Sequence, residues 1–331
     1  MKFIIDANGG DNSPSEIVKG ALEALKTVDC EICLIGIEED INKELEKYSY
    51  NAEKVSVVNC TESITCEEAP ARAVRRKKDS SIVKGITMVK EEEGDVFISA
   101  GSSGAVLVGA TLILGRIKGI SRPALASVYP ILGSEPSLLV DAGANADCRV
   151  ENLVDFAIMG SVYMEKVLGR INPRVGLVNN GAEEEKGSEL TKKAYQALKE
   201  TPLNFIGNVE SREVPDGVCD VIVTDGFTGN ALLKLTEGLA KHIMKLLVDK
   251  FTADARSKIG ALALKPKLYE VKDEFDYSEY GGAPILGVKG GVIKIHGSSD
   301  ANAVKNAIIK AVPFVEKKVV RTIEKAIENI E

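Results

Sequence analysis

The sequence predicts an α/β protein with a doubly wound, mostly parallel sheet. Short runs of β-branched and other apolar residues recur along the 331 residues. A loop rich in Gly, Ser, Asn and Asp follows most runs, and helical periodicity separates them. Strands that alternate with helices are typical of parallel sheets, and their continuous apolar character indicates burial on both faces. These three observations carry the prediction of the fold class.

Eight strands and three long helical stretches are predicted in chain order. The strands are the apolar runs at 3–5, 32–35, 55–58, 96–98, 137–140, 175–178, 221–223 and 293–295. The helices lie within 17–25, 153–167 and 303–330. The apolar run at 105–115 is shorter than the ~20 residues that cross a bilayer, so we expect a buried core helix there. No Pro/Ser-rich linker divides the chain, which predicts one domain over 1–331 with a helical arm at about 230–270.

Composition and charge exclude several classes of protein. Hydrophobic residues make up 44% and charged residues 27%, which excludes a disordered chain. The charges sum to 42 − 49 = −7, so an overall basic surface for nucleic acid is absent. Cys30 and Cys33 stand three apart on a predicted strand, where they face opposite ways, so we expect neither a shared metal nor a redox pair. With no apolar leader after Met1, we expect reduced thiols and a cytoplasmic location.

Six loops rich in Gly, Ser, Asn and Asp follow the predicted strands. They span 6–11, 99–104, 141–147, 179–181, 225–230 and 296–300. In a parallel sheet all six would lie at the carboxyl edge, where glycine N–H groups and helix N-termini favour an anion, phosphate above all. The alternative is that these residues only form turns and N-caps. The candidate substrate-binding residues are Asp6, Gly9, Gly10, Asp11, Gly101, Ser102, Ser103, Gly104, Asn145, Gly181, Asp225, Gly226, Thr228, Gly229, His296, Gly297 and Ser298.

The sequence lacks the motifs of several common sites. No two glycines are separated by a single residue, which excludes G-x-G-x-x-G, and neither a P-loop nor a G-x-S-x-G elbow occurs. The only histidines are His242 and His296, so a histidine-rich metal site is excluded. Aspartates in the loops could hold Mg²⁺, but capping helices is their commoner role. We therefore predict neither a metal nor a cofactor.

Two polar side chains are the candidates for chemistry. Lys186 stands between three glutamates and Gly187, where an ammonium suits a phosphate beside backbone N–H donors. The alternative for Lys186 is a solvated charge in the first turn of a helix. Asn230 could donate its amide to a developing oxyanion. The alternative for Asn230 is that it caps a long helix that starts at Ala231.

Two surface features suggest partners. The first is a basic cluster formed by Arg72, Arg75, Arg76, Lys77 and Lys78. This cluster could dock an acidic partner or a phosphate-bearing carrier, or it is a solvated helix face. The second is a helical stripe of apolar residues at 232–247, with lysines elsewhere on the same helix. Such a helix lies on an anionic membrane or, more often, packs in a core or a dimer interface.

The order of these motifs resembles that of the bacterial phosphate acyltransferases of phospholipid synthesis, the PlsX family. The resemblance covers nearly the whole chain. It includes Asp-Ala-Asn-Gly-Gly-Asp at 6–11, Asp-Gly-Phe-Thr-Gly-Asn at 225–230 and His-Gly-Ser-Ser at 296–299. Further matching segments lie at 73–81, 99–101, 114–120, 141–145, 159–163, 186–187, 204–210 and 276–284. The chain departs from the family pattern at positions that include Asn8, Ser102, Ser103 and Asn180.

The resemblance implies a three-layer α/β/α fold similar to that of phosphotransacetylases and isocitrate dehydrogenases. It implies an enzyme that converts acyl-[acyl carrier protein] and inorganic phosphate to acyl phosphate and free carrier protein, with Lys186 and Asn230 as the catalytic pair. It also implies a homodimer and peripheral contact with the inner face of the cell membrane or with the downstream glycerol-phosphate acyltransferase. The basic cluster is then the expected dock for the carrier protein, and the arm serves dimerisation and/or membrane contact. An acyl-CoA:phosphate acyltransferase and a non-enzymatic phosphate- or nucleotide-binding module remain as alternatives.

Overall fold

The computed structural model describes residues 1–274 and 281–329, and within these ranges eleven strands form one sheet. The strands are β1 (Lys2–Asp6), β2 (Glu31–Gly36), β3 (Val55–Asn59), β4 (Val96–Ser99), β5 (Ala124–Tyr129), β6 (Ser137–Val140), β7 (Val175–Asn179), β8 (Phe205–Glu210), β9 (Val221–Val223), β10 (Ala283–Leu286) and β11 (Gly291–Lys294). All eight predicted strands are confirmed. The 276–280 part of the family resemblance lies outside the described residues.

Helices cover both faces of the sheet. They are α1 (Ser15–Ala24), α2 (Glu38–Leu45), α3 (Pro70–Arg76), α4 (Ser81–Lys90), α5 (Ser103–Gly109), α6 (Val150–Lys166), α7 (Glu189–Lys199), α8 (Gly226–Phe251), α9 (Ala255–Glu274), α10 (Ala301–Glu316) and α11 (Val319–Glu328). No helix in the described part of the chain is both long and apolar enough to span a membrane.

The sheet consists of two parallel halves that run in opposite directions. Its order is β3-β2-β1-β4-β11-β10-β5-β6-β9-β7-β8. The first five strands are mutually parallel, and so are the last four. Between them, β10 and β5 are joined to each other and to their outer neighbours by antiparallel pairing. Three successive antiparallel pairings reverse the strand direction.

This reversal corrects the expectation that all six polar loops lie at one carboxyl edge. Sequence reasoning missed β5, β8 and β10, and two of these are the strands that turn the sheet around. The reasons lie in their residues, because β5 is rich in alanine, β8 contains Gly207 and Asn208, and β10 contains Pro284. Alanine, glycine, asparagine and proline are all depleted in strands.

Because side chains alternate between the two faces of the sheet, the buried apolar residues fall into three clusters. In β1 and β4, Ile5 and Ile98 belong to one core, which also contains residues of α1, α6, α10 and α11. Ile4 and Phe97 belong to the opposite core, which contains residues of α4 and α5. A third cluster lies on the other half of the sheet and contacts the start of α8. The three-layer α/β/α arrangement follows from this division.

Two predicted helices differ from the structure, one in its continuity and the other in its burial. The stretch at 303–330 is divided into α10 and α11 by Lys318, whose φ of +49° interrupts the helical conformation. The apolar run at 105–115 is helical, but only one face is buried. Ala105 and Val106 are inaccessible to solvent, whereas Leu112 is 52% exposed. A core helix is therefore confirmed on one face alone.

Candidate functional site

A cavity of about 420 Å³ lies between the two halves of the sheet. Its floor is formed by β5 and β10, and its walls by the ends of β4, β6 and β11 and by the first turns of α8. The lining residues are Cys66, Ala100, Gly101, Ser103, Leu125, Ser127, Val128, Ala142, Gly143, Asn230, Leu233, Lys234, Glu237, Gly282, Ala283, Lys294, Ile295, His296 and Gly297. Five predicted site residues thus meet here, namely Gly101, Ser103, Asn230, His296 and Gly297.

Asn230 lies in the second turn of α8 and not at its N-cap. The cap is Asp225, whose Oδ1 accepts the Thr228 backbone N–H at 2.9 Å and whose Oδ2 accepts the Thr228 hydroxyl at 2.9 Å. The alternative role of Asn230 as an N-cap is therefore wrong. Asn230 is exposed on the cavity wall, and its amide is available to a ligand.

Two glycines bring the start of α8 into direct contact with the loop after β6. A Cβ on Gly229 would lie 2.0 Å from the Asp141 carbonyl oxygen. A Cβ on Gly226 would lie 2.8 Å from backbone atoms of Asn145, whose carbonyl accepts the Gly226 N–H at 2.7 Å. Backbone can pack this closely only where side chains are missing. Gly226 and Gly229 therefore position Asn230 and do not themselves line the cavity.

The loop after β6 is organised around the buried carboxylate of Asp141. Its Oδ1 accepts the backbone N–H groups of Leu125, Gly143 and Ala144 at 3.0–3.1 Å. Its Oδ2 accepts the backbone N–H and the side-chain amide of Asn145 at 2.7 and 2.9 Å. Burial raises the pKa of Asp141, although these hydrogen bonds oppose that rise. Asn145 is thus buried and engaged within the protein.

The ends of β1, β4 and β11 carry an aligned row of three polar side chains. The register pairs Ile5 with Ile98, one residue before Asp6 and Ser99, and pairs Ser99 with Lys294. The Ser99 hydroxyl donates to Asp6 Oδ2 at 2.6 Å. All three side chains are buried, and burial raises the pKa of Asp6. Sequence reasoning placed Lys294 in a strand and gave it no role. The feature that could have indicated a role was a single charged residue inside an apolar run that was expected to be buried.

The loops after β1, β4 and β11 pack on one another beside the cavity. A Cβ on Gly9 would lie 2.6 Å from the Gly101 backbone nitrogen, so this contact requires glycine. Gly10 has a φ of +94°, and the Asp11 N–H donates to the Gly297 carbonyl at 2.7 Å. Asp6, Gly9, Gly10 and Asp11 therefore shape the loops and are not among the lining residues.

The remaining predicted residues in these loops also have structural contacts. Ser102 caps α5, since its hydroxyl accepts the Ala105 N–H at 3.4 Å, and Gly104 lies against Pro70. The hydroxyl of Ser298 lies 2.8 Å from Nδ1 of His296. Burial and two neighbouring lysine side chains lower the pKa of His296, which leaves a neutral imidazole on the cavity wall at neutral pH.

Lys186 lies outside the lining of this cavity, in the loop between β7 and α7. Its side chain is exposed, and its carbonyl accepts the Asn179 amide at 3.0 Å. A Cβ on Gly181 would lie 3.0 Å from the Lys186 side chain. The alternative that places Lys186 in the first turn of a helix is wrong, because α7 begins three residues later with Ser188 as its cap. Its catalytic role stays a prediction.

The basic cluster is formed by α3 and the residues that follow it. Arg72, Arg75, Arg76 and Lys78 are exposed. The ammonium of Lys77 donates at 2.7 Å to Glu68 and to the Ser63 carbonyl, so Lys77 is engaged within the protein. The cluster flanks the cavity, because α3 packs against α5 and Cys66 lines the cavity just before α3 begins.

Comparison with known proteins identifies the family. The model of the fatty acid synthesis protein family matches residues 1–322. A phosphate acyltransferase of Alkaliphilus oremlandii is 56% identical over 330 residues, covering 100% of this chain and 98% of that protein. The phosphate acyltransferase of Clostridium acetobutylicum is 51% identical over 331 residues, covering 100% of both. The chain belongs to this family.

Solved structures confirm the fold class of the family member. A phosphotransacetylase from Streptococcus pyogenes superposes with a TM-score of 0.63 at 17% identity, covering 99% of this chain and 94% of that chain. A branched-chain phosphotransacylase from Enterococcus faecalis gives a TM-score of 0.60 at 14% identity, covering 95% and 99%. Family membership makes the chain an enzyme, a phosphate acyltransferase of the fatty acid synthesis protein family. The non-enzymatic alternative is therefore wrong.

Proposed function

We propose that this phosphate acyltransferase uses acyl-[acyl carrier protein] as the acyl donor and supplies acyl phosphate to phospholipid synthesis. The cavity carries the proposal. It joins the amide of Asn230 on one wall to His296 and glycine backbone on the other, and the exposed arginines of the basic cluster flank it. A site of this kind can hold a carbonyl and an anion side by side.

The proposed chemistry needs no covalent enzyme intermediate. An oxygen of hydrogen phosphate attacks the thioester carbonyl, a C–O bond forms, and the C–S bond breaks. The proton of hydrogen phosphate goes to the departing sulfur, so the products are acyl phosphate and a free thiol. The enzyme's task is to position the reactants and stabilise the charge that develops on the carbonyl oxygen. Asn230 donates its amide to that oxygen, and Lys186 binds phosphate as it approaches.

The basic cluster supports a carrier protein as the donor. Arg72, Arg75, Arg76 and Lys78 are exposed together in a chain of net charge −7. An acidic carrier protein is repelled by the overall charge and needs a local positive surface to dock. The alternative donor is acyl-CoA, whose smaller surface makes less use of such a cluster.

The arm supports a homodimer and peripheral contact with the inner face of the membrane or with the downstream glycerol-phosphate acyltransferase. Leu235, Leu239 and Ile243 are each more than half exposed along α8, with lysines on the same helix. Apolar side chains in such a row are stabilised when a second surface covers them. We propose that the arm extends from a single domain formed by the whole chain, in a cytoplasmic enzyme.

The donor is tested by comparing an acyl carrier protein and CoA that bear the same acyl chain. We expect kcat/KM to be at least about tenfold higher for the carrier protein and to fall as salt is added. The double variant Arg72→Glu/Arg75→Glu should lower kcat/KM for the carrier protein and leave the value for acyl-CoA unchanged. Lys118→Glu, an exposed lysine outside the cluster, serves as the control. Equal losses with both donors would contradict docking at the cluster.

A further inference from the structure

Lys294 carries a buried positive charge that the proposed chemistry leaves unused. The residue is 8% exposed, yet it belongs to the lining of the cavity. Its ammonium donates to the backbone carbonyl of Ile295. Among the described residues 1–274 and 281–329, no carboxylate lies within 4 Å of it. A buried ammonium is costly unless an anion compensates it, so this side chain lacks a close counterion that a ligand can supply.

The strand register explains where this charge lies. Asp6, Ser99 and Lys294 follow Ile4, Phe97 and Val292 by two residues on β1, β4 and β11, so they share one face of the sheet. The Ser99 hydroxyl engages the Asp6 carboxylate at 2.6 Å. Asp6 is therefore held by Ser99 and does not pair with the ammonium of Lys294.

The surroundings of Lys294 destabilise the protonated form of its side chain. Burial lowers the pKa of its ammonium to about 8, and the nearby positive charge of Lys234 acts in the same direction. Asp6, Asp11 and Cys66 act in the opposite direction without restoring the ordinary value. Lys234 itself is exposed and paired with Glu237 at 2.7 Å. A bound dianion would add the negative charge that these neighbours do not provide.

We propose that Lys294 binds the attacking phosphate in the cavity, on the wall formed by β11. This deepens the proposed function and rests on it. Asn230 lies on the wall formed by α8 and holds the carbonyl of the thioester, so nucleophile and electrophile meet across one cavity. Exclusion of water strengthens the attraction between ammonium and phosphate. The exposed Lys186 then acts at the approach, and the buried Lys294 acts where the bond forms.

The group that Lys294 recognises is a phosphate, and two molecules at this site carry one. One is free inorganic phosphate, which is our assignment. The other is the phosphate of the pantetheine arm that carries the acyl chain. Steady-state kinetics distinguish them. If Lys294 binds inorganic phosphate, removal of its ammonium raises the KM for phosphate. If Lys294 binds the pantetheine phosphate, the same removal raises the KM for the thioester.

The test compares Lys294→Met with Lys294→Arg and with the control Lys289→Met, an exposed lysine just before the same strand. With whichever acyl thioester the wild-type enzyme uses, Lys294→Met should raise the KM for phosphate at least about 30-fold. The KM for the thioester should change less than threefold. Lys294→Arg should recover part of the loss, and Lys289→Met should behave as wild type.

Several outcomes would overturn the assignment. An unchanged KM for phosphate would exclude Lys294 from binding inorganic phosphate. A raised KM for the thioester alone would show that Lys294 binds the pantetheine phosphate instead. We expect Lys294→Met to fold and to melt at or above the wild-type temperature, because an uncompensated buried charge has been removed. If wild type releases no thiol in response to phosphate, the proposed function fails first, and this result is distinct from the others.

A measurement on the unaltered lysine covers the case in which no Lys294 variant folds. In a Cys66→Ser background, which removes the neighbouring thiol, saturating phosphate should raise the melting temperature at pH 7. That rise should shrink between pH 7 and pH 9.5, because Lys294 loses its proton as the pH passes its folded pKa of about 8. The other titratable groups around it are Asp6, Asp11, Lys234, Glu237 and His296. A rise of equal size at both pH values would overturn the proposal.

Discussion

At the scale of single residues, the site separates side chains that face the cavity from those that hold its loops in place. Asn230, His296 and Lys294 line the cavity, whereas Asp141 accepts hydrogen bonds that organise one loop and does not line it. A sequence cannot easily distinguish these two roles, because polar loop residues serve both. Burial and hydrogen-bond partners distinguish them, and they leave Asn230 exposed and Asn145 fully engaged.

Lys186 allows a test of a single side chain. We expect Lys186→Ala to lower kcat/KM for phosphate by about 100-fold, because an ammonium that guides and steadies the anion is lost. The free energy of unfolding should change by less than about 0.5 kcal/mol, since the side chain is exposed. Lys193→Ala, an exposed lysine on α7, is the control for kinetics and for urea unfolding. Full phosphate-dependent activity in Lys186→Ala would remove Lys186 from the mechanism.

At the scale of elements, the first turns of α8 are the part that the site depends on most. Asp225 starts the helix, Gly226 and Gly229 let it contact the loop after β6, and Asn230 then reaches the cavity. Three of these residues were predicted to bind substrate, but their contacts are with the protein. The sequence pattern located the right element, and the substrate-binding role that it suggested for Asp225, Gly226 and Gly229 stays a prediction.

Two alanine substitutions on α8 test this packing. Gly229→Ala should lower the free energy of unfolding by about 1–3 kcal/mol or more, because the added Cβ would lie 2.0 Å from the Asp141 carbonyl oxygen. It should also lower kcat by displacing Asn230. Gly238→Ala is the matched control, because a Cβ there has no neighbour within 4 Å and alanine favours the helix by about 0.5–1 kcal/mol. Similar stability for the two variants in urea unfolding would contradict the packing.

At the scale of the whole molecule, the fold was predictable where the strands are continuous apolar runs. It was not predictable where they are not, and β5 and β10 show the consequence. Their composition hides them, yet their antiparallel pairing turns one half of the sheet against the other. The candidate site therefore lies in a cavity between the two halves of the sheet and not along one predicted edge. The buried lysine of β11 escaped notice because burial of one charge is a property of the assembled sheet.

The arm gives a prediction for the assembled enzyme. Leu239→Glu/Ile243→Glu should convert a dimer to a monomer, measured as mass by light scattering, because two exposed apolar side chains would become charged. Ile171→Glu is the control, since Ile171 is 89% exposed outside the arm. A wild-type monomer would contradict the dimer. An unchanged dimer that no longer binds anionic vesicles would assign this face to the membrane.

In the proposed reaction, phosphate and a thioester meet at Asn230 in the cavity between the two halves of the sheet. The most direct measurement counts thiol release from acyl-[acyl carrier protein], with and without phosphate, while hydroxylamine traps acyl phosphate as hydroxamate. Above the level of a reaction without enzyme, in which hydroxylamine attacks the thioester directly, we expect one hydroxamate per thiol only when phosphate is present, and a loss of about 100- to 1,000-fold in kcat for Asn230→Ala. Enzyme-dependent thiol release that does not require phosphate, or that is undiminished in a folded Asn230→Ala enzyme, would contradict the claim.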